Sequence, residues 1–151
     1  DAQKLLAIAR QRHAQFGIDL FPAFCIGLRE MHLIINIVYD RSDSSSKRAA
    51  YGCMRAMIGD AAKEGYGEYR THLVFQDQVA QTYGWNDGAL MKFNERIKDA
   101  LDPNGILAPG RCGIWPKSFR DRGLQLGLGG RNKSSEERIV AEPGRYLAGK
   151  L

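Results

Sequence analysis

The sequence predicts an α+β fold in which helices flank an antiparallel sheet. Two runs with strand character, Ile18 to Leu28 and Glu30 to Tyr39, follow one another directly. Stretches with a helical apolar period precede and follow them. The order helix, two strands, helix, loop, helices is that of α+β packing.

Each element has its own signal. Ala2 to Phe16 sets Leu5, Leu6, Ile8, Ala9 and Phe16 among Lys4, Arg10, Arg12 and Gln15, an amphipathic helix that Gly17 ends. Ile18 to Leu28 is rich in aromatic and branched residues, with Pro22 placed near its start or on an edge and Gly27 marking a bulge or a close backbone approach. Glu30 to Tyr39 alternates. Met31, Leu33, Ile35, Ile37 and Tyr39 share a core-like face, and His32, Ile34 and Asn36 share the other. That second face mixes polar and apolar groups, as a pocket wall or a solvent face does. Ser42-Asp43-Ser44 is a helix start, and Ala50, Met54, Met57, Ile58 and Ala61 form one apolar stripe that Gly65 closes. Gly65 to Phe75 reads as a loop running into a short extended segment. Helices over Gln76 to Tyr83 and Asp87 to Leu101 follow, the second with Leu90, Phe93, Ile97 and Leu101 on one face, stopped by Asp102-Pro103-Asn104-Gly105.

Composition narrows the function classes. With 151 residues, 44% hydrophobic and 26% charged, the chain fits one globular domain or a piece of a larger one. Its longest apolar stretch, Leu33 to Tyr39, is short and contains Asn36, so no membrane-spanning helix is expected. Cys25, Cys53 and Cys112 are too widely spaced for a zinc motif and odd in number, and His13, His32 and His72 lie far apart. No metal site is therefore expected, and Cys53, beside the apolar stripe, reads as a small core residue. The chain opens on Asp1 with neither an initiator Met nor a leader stretch. A piece of a longer chain is expected, in the cytoplasm rather than secreted. Residues 1–110 carry 13 Lys/Arg and 13 Asp/Glu, and residues 111–151 carry 9 and 4, so the last 41 residues hold the whole net charge of +5. A nucleic-acid-binding tail would interleave aromatics with that charge. After Phe119 the sequence offers only Tyr146, and Gly123 to Gly130 reads as a flexible connector, so no nucleic-acid partner is expected.

Four segments carry more specific information: Phe21 to Phe24 with Gly27-Leu28-Arg29-Glu30-Met31-His32, then Gly65-Tyr66-Gly67-Glu68-Tyr69-Arg70-Thr71-His72, then Trp85-Asn86 with Phe93-Asn94-Glu95, and finally Leu101 through Pro116 (LDPNGILAPGRCGIWP). In this order and spacing they resemble the C-terminal, cap-domain part of the vanillyl-alcohol oxidase and 4-cresol dehydrogenase family of FAD-linked oxidases. The resemblance covers residues 1–117. Residues 118–151, a Gly-rich basic tail, do not resemble the family, and mobility is expected there.

The resemblance implies the second half of a cap domain plus the terminal segment that returns to a flavin domain. The missing N-terminal FAD-binding domain would hold most of the cofactor, so the segment alone is expected to be inactive. Such enzymes oxidise para-substituted phenols by moving a hydride from the benzylic carbon to the flavin, through a quinone methide. By resemblance Tyr69 and Arg70 clamp the phenolate oxygen, His32 is a pocket histidine and Ile34 a pocket-wall residue. Arg111 lies near the flavin, and Glu68 and His72 play supporting roles. A runner-up reading is a non-catalytic binding or interaction module that keeps the cap fold. A homo-oligomer stays open, as do the choice of phenol, the flavin linkage and the electron acceptor.

Overall fold

The computed structural model describes residues 1–122, which fall into two compact units, one over Asp1–Glu64 and one from Gly65 onward. In the first, α1 (Ala2–Phe16) leads into the strands β1 (Phe21–Ile26) and β2 (Met31–Asn36), and α2 (Ser44–Lys63) completes the unit. The predicted α+β class is what the chain adopts, with a two-stranded antiparallel sheet among the described residues. Gly17, at φ 66, turns the chain out of α1. His13 is buried and its Nδ1 lies 3.0 Å from the Asp19 carbonyl, which fixes the exit from that helix. Asp43 caps α2 as its sequence position suggests, its carboxylate accepting the Ser45 N–H at 2.8 Å.

Both strands are shorter than their sequence signals, because pairing stops where the Leu28-Arg29 turn and the exit at Ile37 take over. Along β2 the alternation holds. Met31, Leu33 and Ile35 are half-buried and Ile34 and Asn36 exposed, as Ile37 and Val38 continue beyond the strand. Ile35 and Ile37 pack with Phe16 and Met54 against the buried Ala9, Cys53 and Met57. Gly52 makes this close packing feasible, since a Cβ there would sit 3.2 Å from Cζ of the Phe16 ring and nearer still to its edge. Arg12 pairs with Asp60 at 2.5 Å and so ties α1 to α2.

In the second unit a 3₁₀ turn, Leu73–Phe75, precedes α3 (Gln76–Thr82) and α4 (Trp85–Leu101), and a second, Arg111–Gly113, precedes α5 (Lys117–Arg120). Two expectations change here. The end of Gly65 to Phe75 is a 3₁₀ turn rather than an extended segment, because the His72 ring accepts the Val74 N–H at 3.2 Å and curls the chain. The apolar stripe expected on α4 is present, and its residues Leu90, Phe93, Ile97 and Leu101 are all exposed. The backbone is also left-handed at Asn86, Asp87 and Gly88, so regular helix begins only after them. Asp102 stops α4 as expected, its two carboxylate oxygens accepting the Ile106 and Leu107 N–H groups at 2.9 and 3.0 Å. Of residues 118–151, for which mobility is expected, those beyond Arg122 lie outside the residues described.

Candidate functional site

The hairpin of the first unit presents one open face. In its antiparallel register Cys25 stands opposite His32, Ala23 opposite Ile34 and Phe21 opposite Asn36, so these six side chains share a side. The other side of β2 feeds the core. Ile34 is exposed and His32 half-buried, which places both sequence-chosen residues on the open wall and neither in the core.

The second unit supplies the loop 65–72. Tyr69 and Arg70 stand together there, the Arg70 guanidinium carbon 5.6 Å from the centre of the Tyr69 ring. Both are exposed, and among the described residues no carboxylate pairs with Arg70. A permanent planar cation and a phenolic hydroxyl on neighbouring residues form a donor set suited to a single oxyanion. Glu68, immediately before them, is half-buried, and burial pushes its carboxyl above the usual range while Thr71 hydrogen-bonds it. Its Oε2 is buried without a hydrogen-bond partner. The Glu68 carbonyl accepts the Tyr83 hydroxyl at 2.9 Å. At the far end of the loop His72 caps the turn that leads to the buried Phe75.

Arg111 sits on a tightly wound loop. Gly110 and Gly113 have φ of 81 and 74, and the non-glycine residues Ala108 and Cys112 also have positive φ, 39 and 54. Four left-handed residues in six hold only because the surroundings over-determine them. The Cys112 N–H donates to the buried Gln76 side chain at 3.0 Å, and Trp115 Nε1 donates to the buried Asp77 at 2.7 Å. Trp115 covers Gly110 and stacks on Phe119 with ring centres 5.9 Å apart. Arg120 then bonds the Trp115 carbonyl and pairs with Asp99 at 2.5 Å. On this framework Arg111 is exposed, and no acidic side chain among the described residues pairs with it.

The sequence-chosen residues stand in three places: His32 and Ile34 on the hairpin face, Tyr69 and Arg70 on the loop 65–72, and Arg111 on the loop that precedes Trp115. Gln76, Asp77 and Tyr83 were not singled out from sequence. Buried polar positions on a helix carry no periodic signal, and only the run Gln76-Asp77 at the start of an apolar-faced helix hinted at them. Among the described residues no group of three metal-binding side chains occurs, and no helix is long and apolar enough to cross a membrane.

Residues 1–112 match the family described as FAD linked oxidases, C-terminal domain. Over 114 residues the chain is 39% identical to the 4-cresol dehydrogenase [hydroxylating] flavoprotein subunit of Pseudomonas putida, covering 76% of this chain and 21% of that protein. A 4-ethylphenol oxidase from Gulosibacter chungangensis, solved in complex with isoeugenol, superposes with a TM-score of 0.77 at 48% identity, over 80% of this chain and 23% of that one. The crystal structure of p-cresol methylhydroxylase with substrate bound gives 0.72 at 38% identity, over 76% and 22%. The chain thus spans about a fifth of the length of these relatives.

Proposed function

Because the chain belongs to the FAD linked oxidases, C-terminal domain family, we propose that it forms the substrate-pocket part of an FAD-dependent oxidoreductase acting on para-substituted phenols. The observation that carries this reading is the Tyr69–Arg70 pair, the guanidinium carbon 5.6 Å from the centre of the phenol ring, with no carboxylate on Arg70 among the described residues. The relatives whose names specify phenols point to the same substrate class.

A phenol resists oxidation at its benzylic carbon until it ionises, because electron density must flow from the oxygen into the ring and on to a quinone methide. Its pKa is near 10, so holding it ionised at pH 7 takes about 4 kcal/mol of preferential stabilisation. Arg70 supplies a fixed positive charge for that oxygen and Tyr69 a second hydrogen bond. Tyr69 is 60% exposed in this chain. The full effect thus requires the rest of the protein to close over the loop and exclude water. By the family resemblance His32 and Ile34, on the hairpin face of the first unit, line the substrate, His32 as an imidazole able to orient it or pass a proton. Bound FAD would accept the hydride. Arg111 fits its edge as an uncommitted cation on a rigid loop. By the family resemblance the rest of the flavoprotein holds the pyrophosphate, and the segment alone should purify colourless and inactive.

The test uses the full-length flavoprotein that contains this segment, reduced anaerobically by 4-ethylphenol in a stopped-flow instrument between pH 6 and about 10, the free phenol value. Arg70→Ala should cost on the order of 2–4 kcal/mol in flavin reduction at neutral pH, as loss of an oxyanion donor does, and recover as pH rises. Tyr69→Phe should cost about 1–3 kcal/mol. An Arg70→Ala rate and pH profile equal to wild type would remove the clamp and, with it, the phenol reading, leaving a non-catalytic module that keeps the fold.

A further inference from the structure

The loop that carries Tyr69 and Arg70 is held from below by a residue outside the loop. Tyr83 lies just beyond α3, a helix anchored by the buried Gln76, Asp77 and Val79. Its hydroxyl reaches back fifteen positions to donate to the Glu68 carbonyl at 2.9 Å. That carbonyl belongs to the peptide plane whose nitrogen is Tyr69's own. Fixing the plane fixes one end of the Tyr69 backbone and, through it, the direction in which Tyr69 and Arg70 leave the loop. Gly67 fits the same arrangement. A Cβ at position 67 would sit 2.7 Å from Cζ of the Tyr83 ring, so only a residue without a side chain lets the ring lie against the loop.

We infer that Tyr83 is a positioning residue for the oxyanion clamp, its hydroxyl and the bare Gly67 surface together setting where Tyr69 and Arg70 deliver their donors. This rests on the clamp reading given above. Tyr83 does not touch the phenol. It acts through the Glu68 peptide, so its removal leaves both donors present but less well aimed.

The experiment compares wild type, Tyr83→Phe, Gly67→Ala and Arg70→Ala in the full-length flavoprotein that contains this segment. Isoeugenol is titrated into the oxidised protein and followed by the perturbation of flavin absorbance, from pH 7 to about 10, where a free phenol ionises. Melting temperatures are measured alongside. Tyr83→Phe should weaken isoeugenol binding at pH 7 by about 3- to 10-fold, the equivalent of one neutral hydrogen bond. The deficit should grow as the ligand ionises in solution, because the clamp favours the phenolate over the neutral phenol, with the melting temperature close to wild type. Gly67→Ala should do the same by displacing the Tyr83 ring, and if that variant does not fold, Tyr83→Phe carries the test alone. Suppose Arg70→Ala shows the pH-dependent loss while Tyr83→Phe binds like wild type, or is weakened equally at every pH. The positioning role is then overturned and the clamp stands. Wild-type binding and pH dependence in Arg70→Ala would overturn the clamp, and this inference with it.

Discussion

Replacing Gly110 by alanine adds one methyl group at the most crowded point of the loop that presents Arg111. Two costs arise. The residue sits at φ 81, where an L side chain is held in the left-handed region at about 1–2 kcal/mol. The new Cβ would also lie 2.6 Å from Cη2 of Trp115, against a ring that its own bond to Asp77 and its stack on Phe119 keep from moving aside. Overpacking of that kind costs about 1–3 kcal/mol. The sum is about 2–5 kcal/mol, a large share of the roughly 5–15 kcal/mol that holds a domain folded. In a unit of this size each kcal/mol lowers the melting temperature by about 4–8 °C, so a fall of about 10 °C or more is expected. Urea titration followed by tryptophan fluorescence reads it directly, because Trp115 is buried while Trp85 is 68% exposed. Gly59→Ala is the matched control: it lies inside α2 with nothing within 4 Å of its Cβ position, and should stabilise the chain by about 0.5–1 kcal/mol. If Gly110→Ala unfolds at the wild-type urea concentration with unchanged Trp115 emission, the loop is not over-determined in the way described, and a rigid presentation of Arg111 loses its basis.

Two other outcomes are open to simple assays. Burial pushes the Cys53 thiol up to about 11, while Cys25 and Cys112 are exposed, so N-ethylmaleimide at neutral pH should add twice to the native chain and a third time only in denaturant, read by mass spectrometry. Three rapid native additions would contradict the core placement of Cys53. The Lys98 ammonium, with the Ile106 and Leu107 amides, holds the Asp102 carboxyl below its ordinary value. A carboxylate depressed in the folded state lends stability that is complete above its unfolded pKa of about 3.9 and is lost as pH falls through the folded value. Lys98→Met should therefore move the acid-unfolding midpoint, followed by circular dichroism, to higher pH. A midpoint that stays in place would show that the pair does not act.

Much of the first unit was legible because its signals are local. A 3.6-residue period wrote α1 and a two-residue period wrote the inner face of β2, and Asp43 and Gly17 marked ends that backbone chemistry demands. The same alternation puts His32 and Ile34 on one face of the strand. The second unit was read less well. Leu73-Val74-Phe75 has strand composition, and only the His72 ring folding back on Val74 makes it a turn. The period of α4 reports that Leu90, Phe93, Ile97 and Leu101 share a side, not whether anything covers them. Tyr83 was invisible for a different reason. Its bond to Glu68 spans fifteen residues and joins a side chain to a backbone carbonyl, which neither composition nor spacing encodes.

The hairpin has a consequence for how this chain can be handled. All six residues of β1 are exposed, and among the described residues its outer edge meets no further strand. Such an edge is a row of peptide donors and acceptors open to any extended segment that drifts past. Phe21, Phe24 and Ile26 give an incoming segment apolar surface to settle on. Pro22 interrupts the row, since it offers no N–H, and only part of the strand can therefore recruit a neighbour. Expressed as given, this segment should gain solubility from a lysine at Ile26, which is more exposed than Phe21 or Phe24. Trimming its helices would bring no such benefit.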